Sequence, residues 1–334
     1  MPAQIQSPPG AAHARILGVG GYRPSRVITN EEICKVIDST DEWIQTRTGI
    51  QERRWAASDE TVEYMAIGAA QKALASAGVD AELIGCVVIA TVTHLAQTPS
   101  LAADVANQLG AHKAAAFDIS AACAGFCHGL ALAQDMVRGG SAEYVLVIGV
   151  ERLSDLTDMN DRSTAFIFGD GAGAAIVGPS DTPGIGPVVW GSDGSQLDAI
   201  GQTFDWSELR DKPELGFPAL RMSGQQVFRW ASYQMVPVAK LALEKAGITA
   251  DQLDAFIPHQ ANMRITDAMI KALKLPDHVP VARDIAVTGN TSAASVPLAM
   301  ERMLAEGEAP HGGVALLIGF GAGLVYAAQV VTLP

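Results

Sequence analysis

Short uninterrupted apolar runs alternate along this chain with longer stretches in which apolar positions recur every three or four residues. The short runs at 86–90, 116–120, 144–149, 255–258, 281–285 and 314–319 predict buried strands. Residues 61–76 and 227–245 carry helical spacing, as do the Ala/Leu-rich stretch that ends near Gly139-Gly140 and one that runs to about Leu304. Strands alternating with helices predict α/β layers.

The pattern occurs twice. Ala77-Gly78-Val79-Asp80-Ala81-Glu82-Leu83 leads into the run at 86–90, and Ala246-Gly247-Ile248-Thr249-Ala250-Asp251-Gln252-Leu253 leads into 255–258. The run at 116–120 feeds the segment around Cys123; that at 281–285 feeds Thr288-Gly289-Asn290-Thr291-Ser292. Gly78 and Cys123 are 45 positions apart, Gly247 and Asn290 43. Such offsets point to an internal duplication and set Asn290 opposite Cys123. Between the halves, 179–218 is rich in Gly, Pro, Asp and Trp, without periodicity, and reads as a connecting excursion of the kind that often carries function. The expected organisation is a loose tail at 1–14, a first half at 15–180 and a second at 181–334.

Composition narrows the function classes. A chain of 334 residues, 49% hydrophobic and 18% charged, can bury a large core. A net charge of -13 weighs against a general nucleic-acid binder, although a local basic patch can still steer an acidic partner. No apolar stretch has the length of a membrane span, and the Pro/Ala/Gly-rich start lacks the basic and apolar regions of a secretion signal. A cytoplasmic protein with reduced thiols is therefore expected. Of Cys34, Cys86, Cys123 and Cys127 only the last two are close, and Cys-x-x-x-Cys with no further ligand at metal spacing is a poor zinc pattern.

Candidate chemistry gathers at strand ends. Cys123 sits between a strand and a helix, among Ala121, Ala122, Ala124 and Gly125, small neighbours that let a substrate reach the sulfur. A helix N-terminus there would favour the thiolate, the attacking form. On its own the residue reads equally as a structural cysteine; Cys127, one turn on, reads as core. His259 ends an apolar run in Ile257-Pro258-His259-Gln260-Ala261-Asn262, where α/β folds place ligands. Asn290 lies at a strand-to-helix turn. The duplication would bring Cys123, His259 and Asn290 towards one centre. Gly319-Phe320-Gly321-Ala322-Gly323 could present backbone N–H groups to an oxyanion, whereas Gly169-Asp170-Gly171-Ala172-Gly173 suits close backbone packing. Arg264 and Lys271, seven apart, share a helix face, with Lys274 near and Arg229 a possible addition; the face is either ordinary solvated surface or a basic patch at an active-site mouth.

With these residues in place the chain resembles the β-ketoacyl-acyl-carrier-protein synthase III family of the thiolase-like superfamily. The resemblance runs from about Ala14 to the C-terminus. It is carried by Asp41-Glu42-Trp43-Ile44-Gln45-Thr46-Arg47-Thr48-Gly49-Ile50, the segment from Ala121 to Phe126, that from Pro258 to Asn262, and that from Gly289 to Ser292. It implies a thiolase-like α/β fold of two βαβαβαββ halves in a five-layer α-β-α-β-α core, in a homodimer. It implies catalytic Cys123, His259 and Asn290, and an oxyanion site at the N–H groups of Cys123 and Ala322. CoA and pantetheine contacts fall on Trp43, Arg47, Arg162, Met222, Gly224, Phe228 and Asn262. Carrier-protein docking falls on Arg264 and Lys271, to which Arg229 is added. No cofactor or metal is implied: acyl-CoA and malonyl-acyl carrier protein are substrates, and condensation would be driven by decarboxylation.

Three positions depart from the family pattern: Ser163 follows Arg162 where Gly is common, Ala322 stands where Gly is usual, and Thr98 occupies the place of a pocket-restricting Phe. The last suggests room for a branched or longer starter. Among relatives, elongating synthases use Cys-His-His, and thiolases carry a second Cys in the C-terminal glycine-rich loop; this chain has neither. Chalcone-type synthases share Cys-His-Asn, but their other signatures are not evident. Passing the acyl group to an alcohol or amine stays open, as does a non-catalytic acyl-binding subunit, against which the intact triad argues.

Overall fold

The computed structural model of the chain describes residues 3–5 and 9–334. Its first sheet comprises β1 (His13–Tyr22), β2 (Ile84–Ala90), β3 (Ala115–Ile119), β4 (Tyr144–Arg152) and β5 (Asp170–Ser180), in the order β1-β5-β4-β2-β3. The second comprises β6 (Val189–Gly191), β7 (Ala255–Pro258), β8 (Val314–Gly321) and β9 (Val325–Thr332), in the order β7-β8-β9-β6. Orientations correspond strand for strand. β2 is parallel to β4, which is antiparallel to β5, itself antiparallel to β1. Likewise β7 is parallel to β8, β8 antiparallel to β9, and β9 antiparallel to β6.

The expected run at 281–285 is corrected. Val281 forms a single parallel bridge to Phe256, and a short helix begins at Ile285. Asp284, where the chain leaves the sheet edge, is a buried carboxylate paired with Arg302 and, at 3.4 Å, with Arg23, a polar anchor that a continuing apolar strand would not have. That lone bridge stands where β3 stands in the first sheet. The excursion is less irregular than its composition suggests: it supplies β6, and Ile200–Gln202 pairs with Leu220–Met222.

The helices form with local signals at their ends. In chain order they are α1 (Asp41–Thr48), α2 (Val62–Ala77), α3 (Leu101–Leu109), α4 (Gly125–Gly139), α5 (Gly224–Ala246), α6 (Met263–Leu273) and α7 (Ser295–Ala305); α1 and α3 are additions to those read from the sequence. Thr40, Thr61 and Ser100 cap α1, α2 and α3 by accepting a backbone N–H, and Gly78, Gly140 and Gly247 end α2, α4 and α5 in the left-handed conformation.

Three buried clusters define five layers. α2 and α3 cover one face of the first sheet through Met65, Ala69, Leu101 and Val105. α4 and α7 lie between the sheets, where Phe126, Leu130, Val296 and Met300 meet Val147 of one and Leu317 of the other. α5 and α6 cover the outer face of the second sheet through Met235, Ala239, Ile265 and Met269. No helix among the described residues is long and apolar enough to cross a membrane. Of residues 1–14, Met1, Pro2 and Gln6 to Pro8 fall outside the described residues. Ala11 N–H donates to Val137 O at 3.2 Å, and β1 begins at His13.

Candidate active site

Cys123 lies in a 3-10 turn, Ala122–Ala124, directly before α4, whose N-terminus has no side-chain cap. The same construction recurs at Ser292–Ala294 before α7. Each turn opens on a left-handed non-glycine residue, Ala122 (φ 44°) and Ser292 (φ 48°). Each rests on a glycine of the opposite half: a Cβ on Gly319 would stand 3.0 Å from Cys123 O, and one on Gly149 only 2.2 Å from Ala293 O. The structural equivalent of Cys123 is therefore Ala293, three positions beyond the Asn290 expected from sequence. Asn290 nevertheless belongs to the same centre, because it starts the loop that carries this second turn.

That loop is the hub of the site. Asn290 is clamped by the first half: its N–H donates to Ile167 O at 2.9 Å, and its carbonyl accepts Gly169 N–H at 3.0 Å. Its side-chain Oδ1 accepts the Ser292 N–H at 2.8 Å. Five residues after Asn290, the Ser295 Oγ lies 2.6 Å from His259 Nδ1. Ser292 lies close enough to Cys123 for its hydroxyl to favour the thiolate. The loop thus binds all three sequence-predicted residues together.

His259 follows β7 and is buried; its N–H donates to Ile318 O at 2.8 Å, and its ring meets the edge of Phe320 at 5.2 Å. Burial holds the imidazole neutral and pushes its pKa down to about 3. The glycine-rich end of β8 approaches the cysteine closely: a Cβ on Gly321 would lie 2.9 Å from Cys123 N and 3.0 Å from its Sγ. Ala322 comes next, and it avoids the left-handed conformations that fall on Gly323 (φ 71°) and Leu324 (φ 43°).

The expected thiolate meets a contrary force. Desolvation pushes the Cys123 thiol up to about 12, outweighing the Ser292 hydroxyl and the cysteine's own amide, which favour the charged form. The buried Glu151 carboxylate adds to the rise. Cys127 is fully buried and packs beside Gly319, as core.

Beyond this centre, the sequence-predicted CoA residues form a chain of contacts. Trp43, on α1, packs edge-on against Phe166 at 5.6 Å, with the guanidinium carbons of Arg47 and Arg162 each 5.9 Å from its ring centre. Asn262 Nδ2 donates to Arg47 O at 3.1 Å, its Oδ1 caps α6 by accepting Arg264 N–H, and the Arg264 guanidinium lies over Phe228 at 5.0 Å. Met222 packs nearby against both the Ile44 and the Val227 clusters. Gly224 opens α5, beside a surface cleft of about 810 Å3 that also touches Arg229 and excludes Cys123. Arg264 and Lys271 are exposed on α6. Thr98 stands apart, exposed in the segment before α3.

Sequence reasoning missed Ser292 as a contact of Cys123, Ser295 as the partner of His259, and Glu151. The last had a signal: it is the acid that closes the apolar run Tyr144 to Val150. The glycines at 169, 171 and 173 pack closely, as expected; a Cβ on Gly173 would lie 2.7 Å from the Pro297 ring.

Comparison with known proteins finds relatives of nearly the whole chain. Residues 117–194 match the family described as 3-oxoacyl-[acyl-carrier-protein] synthase III, and residues 243–333 match its C-terminal family. The chain is 62% identical to β-ketoacyl-[acyl-carrier-protein] synthase III 1 of Streptomyces coelicolor, over 99% of this chain and 100% of that one. It is 61% identical to the synthase III of Streptomyces glaucescens, with the same coverage. Among solved structures, the priming β-ketosynthase of the R1128 polyketide pathway superposes with a TM-score of 0.97 at 52% identity, covering 100% of this chain and 99% of that one. The synthase III of Aquifex aeolicus superposes with a TM-score of 0.88 at 39% identity, over 96% and 99%. A duplicated thiolase-like fold, and likeness to synthases III over nearly the whole chain, place this protein in the β-ketoacyl-acyl-carrier-protein synthase III family.

Proposed function

We propose that Cys123 takes the acyl group of an acyl-CoA as a thioester and that the enzyme condenses it with malonyl-acyl carrier protein, giving 3-oxoacyl-carrier protein, CoA and CO2. The observation that carries this reading is the loop 290–295, which ties Asn290, Ser292 beside Cys123, and the Ser295 partner of His259 into one centre.

In the first half-reaction the Cys123 sulfur attacks the thioester carbonyl. The tetrahedral oxyanion is met by the N–H groups of Cys123 and Ala322, the latter adjoining the glycine that touches the cysteine. CoA leaves and the acyl group stays on sulfur. In the second, malonyl-carrier protein loses CO2 and negative charge gathers on its thioester oxygen. Asn290 uses Oδ1 internally, so its Nδ2 is the end that donates to that oxygen. Ser295 Oγ accepts Gln260 N–H at 3.4 Å; with its hydroxyl donating to His259 Nδ1, the imidazole proton would stand on Nε2. A neutral imidazole N–H and an amide N–H then stabilise charge where it develops. The carbanion attacks the acyl-Cys carbonyl and the thiolate is released. No step calls for a metal or cofactor.

Trp43, Arg47 and Arg162 would hold the CoA nucleotide, and Met222, Gly224, Phe228 and Asn262 would line the pantetheine path. Arg229, Arg264 and Lys271 would dock the acidic carrier protein. Residues 15–180 and 181–334 would act as the two halves, working in the cytoplasm as a homodimer; β3, an open sheet edge, offers the pairing surface. Thr98, exposed in one chain, could line an acyl pocket only across such a contact. Fatty acid and polyketide initiation share this chemistry, and the likeness to a polyketide priming enzyme keeps the second in view. The test is product formation from acyl-CoA and malonyl-carrier protein. Release of CO2 with 3-oxoacyl-carrier protein supports the reading; transfer of the acyl group to an alcohol or amine, without CO2, would replace it.

A further inference from the structure

The Cys123 thiol must lose a proton before it attacks, and His259, buried and weakly basic, is a poor acceptor for it. Its imidazole is neutral, with Nδ1 engaged by Ser295. We propose that Glu151 receives the Cys123 proton through the hydroxyl of Ser292.

The geometry comes from one strand. Gly149 and Glu151 are two apart on β4 and share a face. Gly149 has no side chain, so the 292–294 turn rests directly on the strand. Glu151 then reaches that same turn: its Oε1 accepts the Ser292 Oγ–H at 3.0 Å. Its Oε2 accepts Val92 N–H at 3.1 Å and the hydroxyls of Thr93 at 2.9 Å and Thr91 at 3.3 Å. The carboxylate is fully buried, and these partners are all neutral. A purely structural carboxylate would ordinarily be paired with a cation or hydrogen-bonded at an exposed position.

The titratable group set against Glu151 is Cys123, across Ser292, and Glu151 counts among the causes that raise the thiol. Arg152, next in the strand, turns away to Asp155 at 3.3 Å. Among the described residues, the hydrogen-bond partners of the Glu151 carboxylate are Thr91, Val92, Thr93 and Ser292, and the residue beside it on β5 is Gly171. Burial raises its own pKa to about 7, a value suited to accepting and returning a proton near neutrality. Two adjacent negative charges are disfavoured, so the thiolate forms as the carboxylate is neutralised.

The step balances. The Cys123 S–H proton passes to Ser292 Oγ as the Ser292 proton passes to Glu151 Oε1. The sulfur pair forms the S–C bond to the acyl carbonyl. Collapse of the tetrahedral intermediate breaks the C–S bond to CoA, whose sulfur leaves with that proton, and Glu151 is again a carboxylate. Glu151 thus acts through Ser292, as a positioning and proton-holding residue.

The inference rests on the acyl-Cys123 reading, and the test separates the two. Single-turnover acylation by an acyl-CoA is followed by rapid quench and intact-mass spectrometry from pH 5 to 9, for the wild type, Glu151→Gln and Ser292→Ala. The wild-type rate should rise with pH and level off near 7. Both variants should acylate about 100-fold more slowly at pH 7, and their rates should climb on to pH 9 without levelling. A Glu151→Gln profile that matches the wild type in rate and shape overturns the relay while leaving the acyl-enzyme intact. Should Glu151→Gln fail to fold by circular dichroism, Ser292→Ala decides alone, because it cuts the relay and leaves the carboxylate in place. A wild type that never acylates Cys123 would instead overturn the functional reading.

Discussion

The Ser292 N–H donates to Asn290 Oδ1 across 2.8 Å, and a backbone N–H can only donate, so the amide oxygen is committed and Nδ2 is free to serve the substrate. Asn290→Asp keeps the shape and the accepted bond but loses the donor. Condensation should fall by about 100- to 1000-fold, the usual cost of removing one donor to a developing oxyanion, while Cys123 still acylates. Separate assays of acyl loading and of malonyl-carrier decarboxylation check the division; equal loss in both would show that Asn290 acts on neither step selectively.

Two buried groups should tilt stability with pH in opposite directions. The folded pKa of His259, about 3, lies below its ordinary 6.5, so the folded state excludes a proton that the unfolded chain binds. Its contribution is present above pH 6.5 and is lost as pH falls towards 3. Glu151 is raised from 4.5 to about 7, so the folded state holds a proton that the unfolded chain releases. Its contribution is full below 4.5 and is lost as pH rises through 7. Between 4.5 and 6.5 the two slopes oppose. Urea unfolding at pH 8 should find Glu151→Gln more stable than wild type, by up to about 3 kcal/mol. The gain should vanish near pH 4.5; one independent of pH would contradict the assignment.

Gly321 leaves no room for a side chain beside Cys123. Gly321→Ala forces β8 or the Cys123 turn to move, at a cost of about 1–3 kcal/mol in stability. The displaced sulfur should also acylate at least 10-fold more slowly. Thermal unfolding and acyl loading measure the two effects; unchanged values for both would mean that the turn yields freely.

Trp43 is 37% exposed, with one edge against Phe166 and two guanidinium groups near its ring. Trp43→Ala should raise KM for acyl-CoA about 10-fold, in line with the loss of one stacking and cation–π contact, and leave kcat nearly unchanged. A fall in kcat at constant KM would place Trp43 outside the CoA site.

Much of this was legible in the sequence because local rules dominate it. Five of the six apolar runs became strands, and Thr61 and Gly78 bracket α2 where its helical spacing begins and ends. The meeting of Cys123, His259 and Asn290 followed from the duplication. The register of that duplication did not, because the left-handed residues that mark it, Ala122 and Ser292, are not glycines and give no sign in sequence. Val281 was misread because the partners that anchor Asp284, Arg302 and Arg23, come from distant segments. The thiol's protonation went the other way for a similar reason: a helix N-terminus is visible in sequence, whereas the depth at which it is buried is set by both halves.

The claim on which all of this depends is that Cys123 carries the acyl group. Intact-mass spectrometry after incubation with a panel of acyl-CoAs tests it most directly. At least one acyl-CoA should add a single acyl mass, mapped to Cys123 and absent from Cys123→Ala, with His259→Ala and Asn290→Ala still loaded. A Cys123→Ala enzyme that still gained the acyl mass, or a wild type that gained none from any acyl-CoA, would contradict the account.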